Sequence, residues 1–259
     1  MSDQDKPKEP EQIIDEQSES VKREYLAPSG RLFASSLTAG LEIGFSVLLM
    51  GILYTMFSDD LNTESLSMVT SLGYPLGFIF VIIGRSELFT EQTALAMIPV
   101  LQGKTKVYNL LRLWGLVIFG NLLGGLLFSL FITWIGPARG FIDAENFYHL
   151  AEKVLSPGFF ITLGSAILAG WMMGLLGWLV TSSQESMARI FIVFFVTVII
   201  GLGHLHHCIV GSVEVICGML TSDQISFRDY LDFLVPSVLG NTVGGAIFVS
   251  VLKFSQVSS

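Results

Sequence analysis

The residues best suited to chemistry sit in two polar interruptions of otherwise apolar sequence. The first reads Gly84-Arg85-Ser86-Glu87-Leu88-Phe89-Thr90-Glu91-Gln92-Thr93 and carries three charges within seven residues. The second runs from Gly201 to Glu214 and holds His204, His206 and His207, three of the four histidines in the chain. Charges inside hydrocarbon need partners or water. Arg85 and Glu87 are therefore expected to neutralise one another, while Thr90 offers its hydroxyl, or the loop its amides, to an ion. A kink stabilised by polar groups, with no ligand, is the competing account. Histidine exchanges a proton near neutral pH. Beside a weak-acid anion it could supply a proton, so that a neutral molecule rather than a charge meets the apolar surroundings. His207 lies deepest in its break and is the first candidate. His204 and His207 at i, i+3 could instead bind a metal with Cys208 or Glu214, and a purely structural role also stays open.

These breaks must be held by the elements around them, and composition says what those are. Hydrophobic residues make up 51% of the 259 and charged residues 14%, with a mean hydropathy of +0.65. Soluble domains carry about 25% charged residues, so the deficit points to a bilayer, where each helix needs about 20 apolar residues. Apolar runs occupy about 32–57, 67–101, 107–135, 159–181, 190–220 and 230–252. The second and fifth are interrupted, at 85–92 and 203–208. The expectation is an all-α membrane protein of six transmembrane helices, with helices 2 and 5 broken. Unwound backbone at that depth must be buried in protein or line a wet cavity.

Residues 1–30 are polar and acidic and read as a disordered cytoplasmic tail before a transmembrane channel domain over 31–255. They lack the basic head and short apolar core of a signal peptide. Ten Lys and Arg residues flank one face of the spans (Lys6, Lys8, Lys22, Arg23, Arg31, Lys104, Lys106, Arg112, Arg189, Lys253) against three on the other (Arg139, Lys153, Arg228). That bias puts both termini in the cytoplasm of a multi-pass protein. Cys208 and Cys217 fit no zinc or disulfide pattern and read as packed thiols. No phosphate loop, cysteine pair or nucleophile elbow is found. The chain is therefore read as no enzyme, with no cofactor, resident metal or nucleic-acid partner.

A shift of 120 residues brings Gly120-Asn121-Leu122-Leu123-Gly124-Gly125 onto Gly240-Asn241-Thr242-Val243-Gly244-Gly245. It also superimposes Ser86 to Glu91 on His206 to Gly211, and Gly44 on Gly164. If 32–135 and 159–252 are homologous halves of three spans each, the second crosses upside down. The broken helices then converge near the midplane, a common place for a substrate site. Gly120, Gly124, Gly240 and Gly244 are expected in close helix packing, with Asn121 and Asn241 bonding across the repeat interface. Phe78 and Phe80, and the group of Phe191, Phe194 and Phe195, precede the breaks as candidate apolar constrictions. Arg85, His204, His206 and Glu214 are candidate supports for the unwound backbone, and Glu42 in the first span is a further buried carboxylate.

With these residues in view, the chain resembles the formate/nitrite transporter family. Glu87-Leu88-Phe89-Thr90 looks like its motif in the broken second helix. The two Gly-Asn motifs resemble its third and sixth helix signatures, and His207-Cys208-Ile209 falls at its central histidine. The resemblance covers about 30–255. It implies an aquaporin-like protomer in a homopentamer, embedded in the inner cell membrane, that passes small monovalent anions such as formate or nitrite, often with a proton. It implies that Thr90 and His207 face each other between two constrictions, and that Lys153 matches an outer lysine of the family. His206, Gly211 and Gly170 depart from the family pattern, which has Glu, Asn and Asn there. Such departures resemble a divergent branch whose solute is not set by likeness. A neutral-solute or water pore, or a non-conducting scaffold or sensor that binds partners through the tail, are the alternative readings.

Overall fold

The computed structural model describes residues 8–258. Among them every regular element is helical. In chain order these are α1 (Pro10–Leu26), α2 (Ser29–Phe57), α3 (Thr63–Ser71), α4 (Pro75–Gly84), α5 (Phe89–Leu95), α6 (Met97–Leu101), α7 (Val107–Arg139), α8 (Ala144–Leu155), α9 (Phe159–Ser182), α10 (Ser186–Leu202), α11 (Cys208–Thr221) and α12 (Phe227–Val243). The last helix continues through a π-helical stretch, Gly244–Val251, into α13 (Leu252–Ser258). Five stretches are long and apolar enough to cross a membrane: 29–57, 63–84, 107–139, 159–182 and 227–256. The shorter apolar pair α10 and α11 meets end to end around 203–207.

Glycine makes the two tightest helix pairs possible. A Cβ on Gly40 would overlap the Asn121 backbone, and one on Gly124 the Leu37 carbonyl. In the other half, a Cβ on Gly170 would overlap the Asn241 backbone, and one on Gly244 the Ile167 carbonyl. Gly120 and Gly240 likewise lie against Ser36 and Ala166. Thus α2 packs on α7 as α9 packs on α12, with backbones in direct contact.

This packing corrects one detail of the expected repeat. Gly40 and Gly170, and likewise Ser36 and Ala166, are 130 residues apart, whereas Asn121 and Asn241 are 120 apart. Gly164 faces open space while Gly44 lies against the Phe128 ring, so those two are not equivalent. The ten-residue difference falls between the first and second spans of each half. There the first half has a longer α2, which runs to Phe57, and a longer link before its second span starts with α3, capped by Asn62 through Ser65 N–H (2.9 Å). The second half joins α9 to α10 through Ser183, Gln184 and Glu185 alone.

The acidic stretch at 1–30 is also different from expectation. Residues 1–7 lie outside the described residues, but Pro10–Leu26 is a helix rather than a disordered segment. Pro10 at its first turn and a reciprocal Glu9–Gln12 capping box start it. Ile13, Ile14, Gln17, Ser18 and Val21 form its buried face. That spacing is one side of a helix, masked in the sequence by the acidic residues between. Polar contacts fix the docking. Gln17 donates to the Gly177 carbonyl (3.2 Å), Ser18 to Gln102 (2.8 Å), and Tyr25 to the Ala96 carbonyl (2.6 Å). Burial pushes the Tyr25 hydroxyl well above the usual tyrosine range.

If docking of α1 rests on this face, Val21→Asp will detach it. Limited trypsin digestion should then cleave at Lys22 or Arg23 at least about tenfold faster than in the wild type, because local opening sets the rate. An unchanged rate would refute the docking.

Candidate functional site

Both breaks begin the same way. α4 ends with Arg85 in the left-handed region (φ 62°), and Ser86 N–H reaches back to the Val81 carbonyl (3.0 Å). α10 ends with His204 at φ 46°, and Leu205 N–H reaches the Ile200 carbonyl (3.0 Å). This six-to-one closure is the Schellman ending, which glycine usually provides because a Cβ is strained there. The equivalent residues are 119 apart at this point, one fewer than the expected shift.

Each break is then held by one asparagine. Asn121 Oδ1 accepts from Phe89 N–H (2.8 Å), while its Nδ2 donates to the carbonyls of Ser36 (2.7 Å) and Glu87 (2.8 Å). Asn241 Oδ1 accepts from Cys208 N–H (2.8 Å), while its Nδ2 donates to the carbonyls of Ala166 (2.8 Å) and His206 (2.9 Å). Both side chains are fully buried. The sequence reading expected a bond across the repeat interface. The structure instead ties each amide to a broken segment and to the first helix of its own half.

The breaks bring Thr90 and His207 together. Thr90 lies in the first turn of α5, after the Leu88 cap position, and its Oγ1 lies 2.7 Å from His207 Nε2. His207 also caps α11, its Nδ1 accepting from Val210 N–H (3.3 Å). A neutral ring with an acceptor at Nδ1 carries its proton on Nε2 and donates to Thr90. That leaves the Thr90 hydroxyl hydrogen free to serve a third group. Phe78 stands edge-on to His207 with ring centroids 5.1 Å apart, and Tyr74 stacks on Phe78 at 5.4 Å. In the 119-residue frame Thr90 corresponds to Ile209, and His207 to Leu88. The pair therefore joins two positions that the repeat does not relate.

A cavity of about 30 Å³, room for one or two waters, adjoins His207 and is lined also by Tyr74, Lys153, His204 and Glu214. Lys153, on α8, is half-buried, with Nζ 5.3 Å from the Tyr54 ring centroid. Burial pulls its ammonium below the usual lysine range, and the Glu214 carboxylate partly offsets that. Tyr74, Ser67 and Ser71 line this cavity too. No spacing in the sequence singled them out, because they belong to a helix link whose turn brings them inward.

Other candidates separate. Arg85 is exposed and forms no pair with Glu87, whose carboxylate instead accepts from Gln92 Nε2. The left-handed turn at Arg85 sends its side chain outward, which is why the expected neutralisation fails. His204 Nε2 lies 3.0 Å from Ser67 Oγ, whereas His207 turns to Thr90, so the i, i+3 pair does not converge. His206 supports the break: its Nδ1 is 2.9 Å from Ser165 Oγ and its Nε2 3.0 Å from the Val154 carbonyl. Leu88 and Phe89 are buried, and Phe89 meets Trp114 edge-on at 6.4 Å. Phe194 packs edge-on against Phe195, whose ring is 59% exposed, and does not line the cavity. Phe80 likewise is 41% exposed against Phe45. Gly211 leaves space that the Phe233 ring fills.

Long apolar helices with two interrupted spans whose tips meet inside the bundle define a multi-pass membrane protein of the transport class. The family model described as "Formate/nitrite transporter" matches residues 11–255. Inner membrane protein YfdC of Escherichia coli (strain K12) is 30% identical over 254 residues, 95% of this chain and 77% of that relative. The formate-nitrite transporter of Plasmodium falciparum (isolate 3D7) is 24% identical, over 83% of this chain and 74% of its own. Among solved structures, an FNT family ion channel superimposes with a TM-score of 0.81 at 18% identity, covering 95% of this chain and 98% of that one. A pentameric formate channel with formate bound gives 0.75 at 21% identity, covering 89% and 98%. The chain belongs to the formate/nitrite transporter family, whose members are channels and transporters rather than enzymes.

Asn121→Ala or Asn241→Ala strands a buried amide and two carbonyls, and each should destabilise the protein by about 3 kcal/mol, read as a lower Tm in detergent. Arg85→Gly and His204→Gly should relieve left-handed strain and raise stability by about 1 kcal/mol. A fall in Tm for the glycine variants would show that the side chains, not the backbone, fix these turns.

Proposed function

We propose that this chain conducts small monovalent anions of weak acids, formate and nitrite among them, along a path that passes the Thr90–His207 pair. The reading rests on that 2.7 Å contact, made between two break tips inside a fold of this family. The named relatives and the formate-bound channel support an anion as the solute. The same channel supports a homopentamer. The excess of Lys and Arg on one face supports cytoplasmic termini. The helix packing and paired Asn contacts support an inverted pair of three-span halves.

The chemistry follows from the hydrogen-bond directions. His207 Nε2 donates to Thr90 Oγ1, so the Thr90 hydroxyl points its own hydrogen toward a carboxylate or nitrite oxygen in the path. The solute exchanges water for this donor at the point where desolvation would otherwise be most costly. Phe78 keeps that point dry. A proton entering His207 at Nδ1 would break its cap on Val210 N–H, which links coupled protonation to a movement of the α11 start. Lys153, which lines the cavity, draws anions toward it.

In proteoliposomes the full chain should take up formate above the rate of empty vesicles. His207→Ala should lower uptake at least about tenfold and alter its pH dependence, and Thr90→Val should act in the same direction while leaving the assembly intact by size exclusion. Absence of flux for formate, nitrite and acetate would overturn the proposal. Osmotic swelling with no anion requirement would replace it with a neutral-solute pore.

A further inference from the structure

A second, larger cavity adjoins the small one beside His207. It is an open groove of about 750 Å³, bounded by Thr63 of α3, by Ser156 and Pro157 after α8, and by Phe160, Gly164 and Leu168 along α9. The two cavities have four wall residues in common: Ser67, Lys153, His204 and Leu205. These come from α3, α8 and the second break. A partition one side chain thick therefore separates the open groove from the cavity that reaches His207. Ser67 and His204 are joined across it by a hydrogen bond, Oγ to Nε2 at 3.0 Å. Neither side chain has another hydrogen-bond partner among the described residues. The hydroxyls beside them are committed elsewhere, Thr70 to the Leu66 carbonyl (2.7 Å) and Ser71 to the Ser67 carbonyl (2.8 Å). Lys153 Nζ turns to the Tyr54 ring. His204 makes its bond from a left-handed backbone (φ 46°), where glycine would be unstrained.

A solute oxygen that reaches the partition from the groove can replace one end of this bond, taking the Ser67 hydroxyl or the His204 N–H as its donor. Such an exchange is easy, because one hydrogen bond is traded for another rather than lost. We propose that the Ser67–His204 hydrogen bond is a gate, and that solutes pass between these two side chains from the α9 groove toward the Thr90–His207 pair. The solute then sheds water in two stages. It first meets the hydroxyl, imidazole and ammonium of the partition, and only afterwards the Phe78 ring. This inference rests on the transport reading above and deepens it by naming the way in.

A metal bridge tests the gate by holding it shut. Cd²⁺ binds a thiolate and an imidazole placed as close as these two side chains are. The full-length protein is reconstituted in proteoliposomes with Cd²⁺ on both sides, and formate uptake is measured. In Ser67→Cys, Cd²⁺ should lower uptake at least about tenfold, and EDTA should restore it, a reversal that a packing role would not produce. The ultraviolet absorption of the Cd–thiolate bond reports whether the bridge has closed. The wild type holds only the buried Cys208 and Cys217 and should be insensitive. Ser67→Cys combined with His204→Gly, which also relieves the backbone strain, should need at least about tenfold more Cd²⁺ for the same inhibition. If Ser67→Cys does not assemble, the reciprocal pair Ser67→His with His204→Cys carries the same test. Uptake within about twofold of the Cd-free rate while the bridge is closed overturns the gate. Absence of the Cd–thiolate absorption, or equal inhibition of the wild type, overturns it as well. Wild-type protein that moves neither formate, nitrite nor acetate overturns the transport reading itself, and this inference with it.

Discussion

A broken helix inside an apolar bundle leaves backbone groups that water cannot reach, and the rest of this structure depends on how they are satisfied. Here the answer is a buried asparagine amide used twice. Asn121 and Asn241 each accept from the first N–H after a break and donate to a carbonyl within it. Each also holds a carbonyl of the neighbouring helix, Ser36 or Ala166. An amide is suited to this because it carries both a donor pair and an acceptor without a charge to desolvate. The glycines around it are a consequence. Only with Gly40 on Asn121 and Gly170 on Asn241 can the helices approach closely enough for one side chain to reach both.

With the backbone settled in this way, the tips of the breaks are free to carry different chemistry. One presents Thr90 and the other His207, and the opposite half has only Ile209 and Leu88 at the matching positions. The site arises because a symmetric scaffold brings unlike tips face to face. His207 serves two ends at once, capping α11 through Nδ1 and touching Thr90 through Nε2. The cavity beside it is lined by Lys153 of α8 and Glu214 of α11 as well, so its polarity is set by residues from two elements rather than by the break alone.

Much of the fold was legible in the sequence because hydrocarbon imposes simple rules. Long apolar runs, polar interruptions and recurring Gly-Asn motifs gave the spans, the breaks and the pairing of halves. Thr90 and His207 stood out as polar groups at membrane depth. What escaped was whatever depends on register. A shift of 120 seemed uniform, yet it is 130 in the first helix of each half and 119 at the breaks, since α2 and the link after it are longer than their counterparts and helices absorb single residues at their ends. Charge composition hid the buried stripe of α1. Proximity in sequence suggested Arg85 with Glu87, but a left-handed residue reverses side-chain direction, and Arg85 points outward. Phe194 had the right type and spacing for a constriction, yet its ring packs against Phe195 and does not line the cavity.

The left-handed turns at Arg85 and His204 have one more implication. A glycine there would let the chain swivel, whereas a residue with a side chain is confined to a narrow well once the surrounding contacts have forced it in. The tips are thus aimed by stiffness at their hinges as well as by the amides that anchor them. Thr90 and His207 keep their separation even though each hangs from an interrupted helix, much as two arms with locked elbows hold a fixed gap that jointed ones could not.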